Sequence, residues 1–356
     1  MYEALLRRDP EGEGVFFVGV KTTGVFCRPT CSARKPRREN VEFFASARDA
    51  LHAGYRACKR CRPMEAGRRP PQWVEQLLAR VDERPGHRFT DADLRSLDIA
   101  PTRVRSYFKQ RYGMTFHAYC RARRLGEALN QIRRGAPAER VGPRQGFESI
   151  SGFREAFARL FGAPVGRGRA VRCLLADWID TPLGAMLAIA GDEGLHLLEF
   201  VDRRAIERQV TTLRQRLGAT VVPGVNDHLR RIRRELNNYF DGRHLTFRTR
   251  LATVGSAFQM AVWRQLQRIE PGETRSYAQL ADAVGRSGAH RAIGRACGDN
   301  RLAIIIPCHR VIAADGTLCG YGGGLWRKQW LLDHERRVTE AGGCDGVSQA
   351  KPGNRP

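Results

Sequence analysis

Ile306-Pro307-Cys308-His309-Arg310-Val311 is the stretch on which the reading of this sequence turns. A cysteine attacks an electrophile as its thiolate, so it needs a base or a cation close by. His309 follows Cys308 directly and can take the thiol proton, directly or through water, while Arg310 adds a permanent cation. The apolar run Leu302-Ala303-Ile304-Ile305-Ile306 predicts a buried strand that ends at Pro307. A Cys-His pair alone is weak evidence of chemistry, because free cysteines are among the most buried residues in proteins. The sequence on either side has to decide.

Toward the C-terminus, Gly320-Tyr321-x2-Gly324-x3-Lys328 leads to Leu331-Leu332-Asp333-His334-Glu335. In the other direction stand Arg291-Ala292-Ile293-Gly294-x5-Asn300, the run Gly272-Glu273-Thr274-Arg275-Ser276-Tyr277-Ala278-Gln279-Leu280-Ala281, and Ser256-Ala257-Phe258-Gln259-x3-Trp263. Together these blocks resemble the O6-alkylguanine-DNA alkyltransferase family over residues 256–335, with the family spacing kept without a gap across the three most C-terminal, from Ile306 to Glu335. The resemblance implies a winged-helix-like catalytic domain over 254–338. It makes Cys308 the acceptor of an alkyl group, and His309 the base acting through a water and oriented by Glu335. It has Asn300 brace the turn under the cysteine and Tyr277 support the flipped base and donate to the leaving guanine. Arg291 would enter the base stack in place of the extruded nucleotide, since the target atom is hidden in a duplex. The substrates implied are O6-methylguanine and O4-methylthymine. The product is a thioether that no group here hydrolyses, so each molecule acts once.

Cys319, eleven residues past Cys308, either lines the same pocket or is a small buried residue, and the second reading is preferred. Cys120, Cys173, Cys297 and Cys344 have no motif around them.

Upstream, Leu183 to Ala190 and Gly194 to Phe200 are short apolar runs split by Gly-Asp-Glu-Gly and read as a β-hairpin. Residues 202–217 and 226–240 read as helices. Residues 171–250 resemble the variable first half of the alkyltransferase, a ribonuclease-H-like α/β subdomain to which no site is assigned.

Residues 72–165 are basic and helical in pattern, between the linker Ala66 to Pro71 and a second Gly/Arg-rich linker, Gly162 to Arg169. Trp73, Val74, Leu77, Leu78 and Val81 have helical spacing, Thr90 and Asp91 can cap the next helix, and Pro101 opens a basic amphipathic one. Arg111 to Tyr119 and Gly146 to Phe157 follow. The pattern resembles the AraC-type DNA-binding domain: all-α, two helix-turn-helix units sharing a long helix near 117–134. By that likeness Thr102, Arg103 and Arg105 face one major groove and Ser149, Ser151 and Arg154 the next. Phe108, Tyr112 and Phe157 read as core rather than base-stacking platforms. Val141-Gly142-Pro143 is a departure that interrupts the first helix of the second unit, since an interior proline costs about 3 kcal/mol.

Cys27-x3-Cys31 and Cys58-x2-Cys61 are two close thiol pairs, each in a turn-forming setting. Two such pairs close a tetrahedral four-thiolate zinc site; the competing reading is two disulfides or unrelated thiols. The flanks, Thr22 to Arg34, Arg38 to Phe44 and Ala53 to Cys61, closely resemble the N-terminal domain of the Ada family of adaptive-response proteins, a small α+β domain around one zinc ion. The family's first cysteine, here Cys27, is both zinc ligand and acceptor of a methyl group from a DNA methylphosphotriester. Methylation removes one negative charge from the site, which weakens its repulsion from phosphates and can turn repair into a binding switch. Arg34, Arg56 and Arg60 flank the site and either reach phosphates or are ordinary solvated arginines.

The composition fits this reading. A formal charge of +24 over 356 residues suits a polyanionic partner, although 55 of the 61 basic residues are Arg, a bias that a GC-rich genome also produces. The N-terminal MYEALLRRDPEGEG has no apolar run, and no stretch approaches the roughly 18 apolar residues a membrane span needs. Ten cysteines without a leader suit reduced thiols in a cytoplasm. The expectation is therefore a multidomain α/β chain, 1–66, 72–165, 171–250 and 254–338, with a disordered tail over 339–356. It binds double-stranded DNA and RNA polymerase, carries one Zn2+ and no organic cofactor, and is a cytoplasmic monomer. Two rivals stand beside it: a transcription factor whose damage domains are only sensors, which the Cys308-His309-Glu335 set opposes, and a repair protein without regulation, which Gly142-Pro143 favours.

Overall fold

The structure is a computed structural model. It describes the chain except residues 10–15, 45–48, 51–52, 59, 62, 64–69, 85, 204 and 344–356. The linker Ala66 to Pro71 falls mostly outside the described residues, as do Cys344 and most of the expected tail. Backbone contacts gather the rest into two compact units, Met1–Gly191 with Ala205–Asn226, and Asp192–Arg204 with Asp227 onward.

The first unit begins with helix α1 (Tyr2–Arg7) and a sheet of β1 (Phe17–Val20), β2 (Val25–Cys27), β3 (Val41–Phe44) and β4 (Arg56–Ala57) in the order β3-β1-β2-β4. β1 is antiparallel to β2 and β3, while β2 and β4 run parallel. The turn from β1 to β2 closes on Gly24 at φ 60°, a conformation that costs glycine nothing.

Six helices follow: α2 (Gln72–Glu83), α3 (Asp91–Ser96), α4 (Pro101–Tyr112), α5 (Phe116–Arg133), α6 (Ala138–Arg144) and α7 (Ile150–Phe161). Thr90 caps α3 in a reciprocal capping box with Asp93, and Pro101 sits in the first turn of α4, where its missing N–H costs no bond. α5 serves two cores. Its first half, Phe116, Tyr119 and Cys120, packs with Leu77, Leu94, Val104 and Phe108, and its second half, Leu125, Ala128 and Leu129, packs with Val141, Phe153 and Phe157. The aromatic residues singled out in this segment are thus core.

Two expectations change here. Val141-Gly142-Pro143 does not interrupt α6, which runs through Pro143. The proline stands in the last turn of a seven-residue helix, so it removes one backbone bond, and its side chain is exposed. Gly142 fits closely there: a Cβ would meet Phe153 Cδ1 at 3.2 Å and Ile150 Cδ1 at 3.3 Å, so these side chains would have to give by a few tenths of an ångström. Nor is Gly162 to Arg169 a loose linker: Val165–Ala170 is a 3₁₀ turn whose Val165 lies in the second core.

The unit ends with β5 (Arg172–Thr181), which pairs antiparallel with β6 (Gly184–Ala190) and parallel with β8 (Ala219–Pro223), the latter after helix α8 (Ile206–Leu217). Trp178 of β5 packs its ring 4.8 Å from that of Tyr112, and Asp180 pairs with Arg111.

The second unit holds β7 (Leu195–Phe200), α9 (Asp227–Phe240), α10 (Ala257–Leu266), β9 (Arg275–Ser276), α11 (Tyr277–Ala283), α12 (His290–Gly298), β10 (Val311–Ile312) and α13 (Leu325–Gly343). Both apolar runs read as hairpin arms are strands, β6 and β7. α10 and α11 each start at a serine in a capping box with a glutamine three residues on. Residues 302–306 are not the strand expected from their composition: Ile306 N donates to Leu302 O at 2.9 Å in a turn, with buried Ile304 at φ 72°. Residues 339–343, expected in the tail, continue α13. No helix among the described residues is long and apolar enough to cross a membrane.

Candidate active sites: two cysteine centres

The parallel register of β2 and β4 sets Phe26 beside Ala57, so the next residues, Cys27 and Cys58, emerge side by side. Cys58 N donates to Phe26 O at 3.0 Å, and Cys31 is turned back by its N–H donating to Arg28 O at 3.1 Å. The Sγ atoms of Cys27, Cys31, Cys58 and Cys61 all lie within 4.8 Å of one another. Sulfurs at about 2.3 Å from a tetrahedral ion stand about 3.8 Å apart, so the set fits one Zn2+. Its charge fits too. The Cys27–Cys61 contact holds Cys61 down to about 5 and pushes Cys27 well above the ordinary thiol range, so a second thiolate beside the first is disfavoured and a cation there would offset the repulsion. Arg28 N adds a hydrogen bond to Cys61 Sγ at 3.4 Å. Lys35, which sequence reasoning missed, donates from Nζ to Pro29 O and Cys31 O, both at 3.2 Å, and so braces the first cysteine pair. Its ammonium is half-buried and held below the usual lysine range, by burial first and then by Arg8. Arg34, Arg56 and Arg60 are exposed.

On the helix-turn-helix helices, Thr102 and Arg105 are exposed near the start of α4, with Arg105 4.0 Å from Asp91. Arg103 instead lies over the Trp73 ring at 4.9 Å. Ser149 caps α7 by accepting from Gly152 N at 3.1 Å and contacts Ser151 at 3.2 Å, while Arg154 pairs with Glu139 at 3.0 Å.

Cys308, His309 and Arg310 form a buried 3₁₀ turn between Pro307 and β10. β10 pairs parallel with β9, Val311 beside Arg275 and Ile312 beside Ser276, which brings Tyr277 toward the motif at the head of α11. Asn300 makes the turn. Its Nδ2 donates to Ile306 O at 2.8 Å and to Cys308 Sγ at 3.3 Å, and its Oδ1 accepts from Leu302 N at 2.9 Å. Burial pushes the Cys308 thiol up and the Asn300 bond pulls it back. The resting group is thus a thiol that needs a base.

That base is held by Glu335 of α13. His309 Nε2 lies 2.9 Å from Glu335 Oε1, and Nδ1 is buried with no partner among the described residues. Burial lowers His309, against the pull of Glu335, so the ring is neutral at pH 7. Glu335 also accepts from Arg310 Nε and Nη2, at 2.8 and 2.9 Å, and from Tyr239 Oη at 2.7 Å. Burial raises its carboxyl, but His309 and Arg310 together hold it well below the usual range. Arg310, read from the sequence as a cation beside the thiol, is instead spent on Glu335, and Tyr239 had no role in that reading, because a tyrosine 96 residues from Glu335 carries no signal. Lys328 is fully buried, with Nζ donating to Val311 O and to Cys319 O, the latter at 2.6 Å. Cys319 is half-buried rather than buried, and it lies at the Tyr277 phenol, which burial and the thiols of Cys297 and Cys319 raise. Arg291 is exposed on α12.

Fold and sites together define a class: a protein with two thiol centres, one gathered for a metal ion and one buried against a histidine-carboxylate pair, with a helical segment between them in the sequence. Three family models match it: "Metal binding domain of Ada" over residues 1–64, "Helix-turn-helix domain" over 94–170, and "6-O-methylguanine DNA methyltransferase, DNA binding domain" over 257–337. The chain is 36% identical to the bifunctional transcriptional activator/DNA repair enzyme Ada of Escherichia coli, over 95% of this chain and 96% of that one. It belongs to the Ada family. It is also 44% identical to a methylated-DNA–protein-cysteine methyltransferase of Mycolicibacterium paratuberculosis, over 46% of this chain and 93% of that one. Among solved structures, the O6-methylguanine methyltransferase of Mycobacterium tuberculosis is 38% identical over 46% of this chain and 94% of that one, with a TM-score of 0.40.

Proposed function

We propose that this chain repairs alkylated DNA by two irreversible transfers and that one of them switches it into a transcriptional activator. The observation that carries the reading is the Asn300–Cys308–His309–Glu335 arrangement, a buried thiol with a donor on one side and an oriented neutral base on the other. The domains carrying these activities are assigned to 1–66, 72–165, 171–250 and 254–338, the third ribonuclease-H-like and the fourth winged-helix-like.

At Cys308 the methyl carbon of a flipped O6-methylguanine is attacked in line. The S–C bond forms as the O6–C bond breaks. The thiol proton passes to His309 through a water at Nδ1, Glu335 steadies the imidazolium, and Tyr277 donates a proton to the departing guanine. Arg291 fills the gap left in the duplex. O4-methylthymine presents the same leaving geometry and is the second substrate. The thioether is stable, so one protein removes one methyl group.

At the N-terminal centre Cys27, Cys31, Cys58 and Cys61 hold the zinc ion, which keeps the thiolates ionised at neutral pH. Cys27 takes the methyl of a phosphotriester, and the phosphodiester regains its charge. The site loses one negative charge, so repulsion from phosphates falls and promoter DNA is held more tightly, with Arg34 and Arg60 at the backbone. Thr102, Arg103 and Arg105, then Ser149, Ser151 and Arg154, read successive major grooves. RNA polymerase is the partner recruited, and the chain acts as a cytoplasmic monomer. α6 is intact through Pro143, which favours a working second unit and weighs against repair without regulation.

Duplexes labelled at O6-methylguanine or at a methylphosphotriester test the assignment by peptide mapping. Label must fall on Cys308 from the first and on Cys27 from the second. Transfer by a Cys308→Ala chain at the wild-type rate overturns the central reading.

A further inference from the structure

The wall of the Cys308 centre contains an ion pair that the transfer chemistry leaves unused. Glu199, on β7, is 1% exposed, and its Oε1 accepts from Phe200 N at 3.0 Å. Its Oε2 pairs with Nη1 of Arg203, four residues on. That guanidinium reaches almost a hundred residues along the chain. Nη1 donates to Asn300 O at 3.2 Å, and Nη2 to Gly298 O at 2.5 Å. Gly298 ends α12, the helix that carries Arg291, and Asn300 supplies the amide on Cys308 Sγ. A Cβ on Gly322 would stand 2.5 Å from Arg203 Cζ, so the loop after Tyr321 closes over the same guanidinium. The neighbouring residues seal it: Arg327 pairs with Asp202 at 2.9 Å and stacks on the Phe200 ring at 4.1 Å.

Burying an ion pair is expensive unless the hydrogen-bonding sites left over are used, and here they are spent on two carbonyls of one corner. We propose that Arg203, anchored by Glu199, is a positioning residue of the Cys308 centre, fixing the 298–300 corner from which Asn300 holds the acceptor thiol. The inference rests on Cys308 being the acceptor. It also has an electrostatic side. Burial and the Asn300 bond are the larger influences on the thiol, but beyond them Glu199 pushes Cys308 up while Arg203 and Lys328 pull it down. Cys297, Tyr277, Tyr321 and His309 complete the titratable surroundings.

The two halves of the pair therefore separate by sign, which a scaffold role would not produce. The full-length zinc-loaded chain is labelled with iodoacetamide across pH, and Cys308 labelling is followed by peptide mass spectrometry. Single-turnover transfer from an O6-methylguanine duplex is measured in parallel. Arg203→Ala is expected to slow transfer about tenfold through misplacement of Asn300, and to move the labelling profile to higher pH. Arg203→Lys should recover part of both. Glu199→Gln keeps the carbonyl contacts but removes the negative charge, so its labelling profile should move to lower pH. Opposite shifts support the proposal. Transfer by Arg203→Ala at the wild-type rate, or labelling shifts in one direction or none, in variants that melt like wild type overturn it. If Arg203→Ala does not fold, the Lys and Gln variants decide. A wild-type chain that labels at Cys308 but takes no methyl from O6-methylguanine would refute the function proposed above, and the labelling shifts would still judge this inference.

Discussion

The two cysteine centres have almost the same exposure, 8% at Cys27 and 9% at Cys308, yet they solve the problem of making a nucleophile in opposite ways. At Cys27 four thiols are crowded until a cation is needed to hold their charge, and a few backbone bonds keep them there. At Cys308 one thiol is kept neutral by burial and coupled to a neutral histidine, a carboxylate and an arginine drawn from α13 and the motif itself. The first centre depends on an ion and little on the rest of the fold. The second depends on the packing of a whole unit. Activity is thus local in one and distributed in the other.

The comparison is most exposed to Glu335→Ala. Removing the carboxylate strands Arg310, His309 and Tyr239 in the interior, and breaking a buried pair costs about 3–5 kcal/mol. Urea unfolding should show a loss of that order and transfer to Cys308 should vanish, with zinc content and transfer to Cys27 unchanged. Loss of both transfers would break the separation. The mirror experiment is Cys58→Ala, or a chelator: zinc by elemental analysis should fall from one per chain toward none, phosphotriester transfer should stop, and O6-methylguanine transfer should remain within about twofold, the scatter expected of independent sites.

The pH response sharpens the contrast. Glu335 is depressed in the fold, so its contribution is complete above the ordinary carboxylate range near 4.3 and is lost as pH falls through that range toward the lower folded value. His309 is depressed too, so Cys308 transfer should stay nearly flat from pH 8 down to about 6.5, the ordinary imidazole value. A rate that halves near 6.5 in a stopped assay would contradict a buried neutral base. The smallest effects belong to the helical core. Gly142→Val should destabilise by about 1–3 kcal/mol through overpacking against Phe153. Pro143→Ala should be stable or slightly stabilised and leave operator affinity unchanged by gel shift.

Much of this was legible because the chemistry is local in sequence. Cys-x3-Cys and Cys-x2-Cys announce a metal site, and the Cys308 blocks keep their spacing, so Asn300 and Glu335 fall where the motif needs them. Failures came where tertiary context outweighed propensity. Residues 302–306 look like a strand, but the Asn300 side chain takes the Leu302 N–H and Ile306 O that a sheet would have used, and the backbone turns at Ile304. Pro143 reads as a breaker because nothing in the sequence says that α6 has nearly ended. Arg310 reads as a permanent cation beside the thiol and is a buried partner of Glu335.

Glu335 belongs to α13, the last helix among the described residues, well after the turn it serves. During synthesis Cys308 joins the chain before that helix is made, as a thiol next to a histidine with nothing to orient it. A protein spent by a single reaction gains from that delay, because its acceptor is armed only once translation has delivered the carboxylate. Unfinished or prematurely terminated chains are therefore expected to be inert toward damaged DNA rather than wasteful decoys.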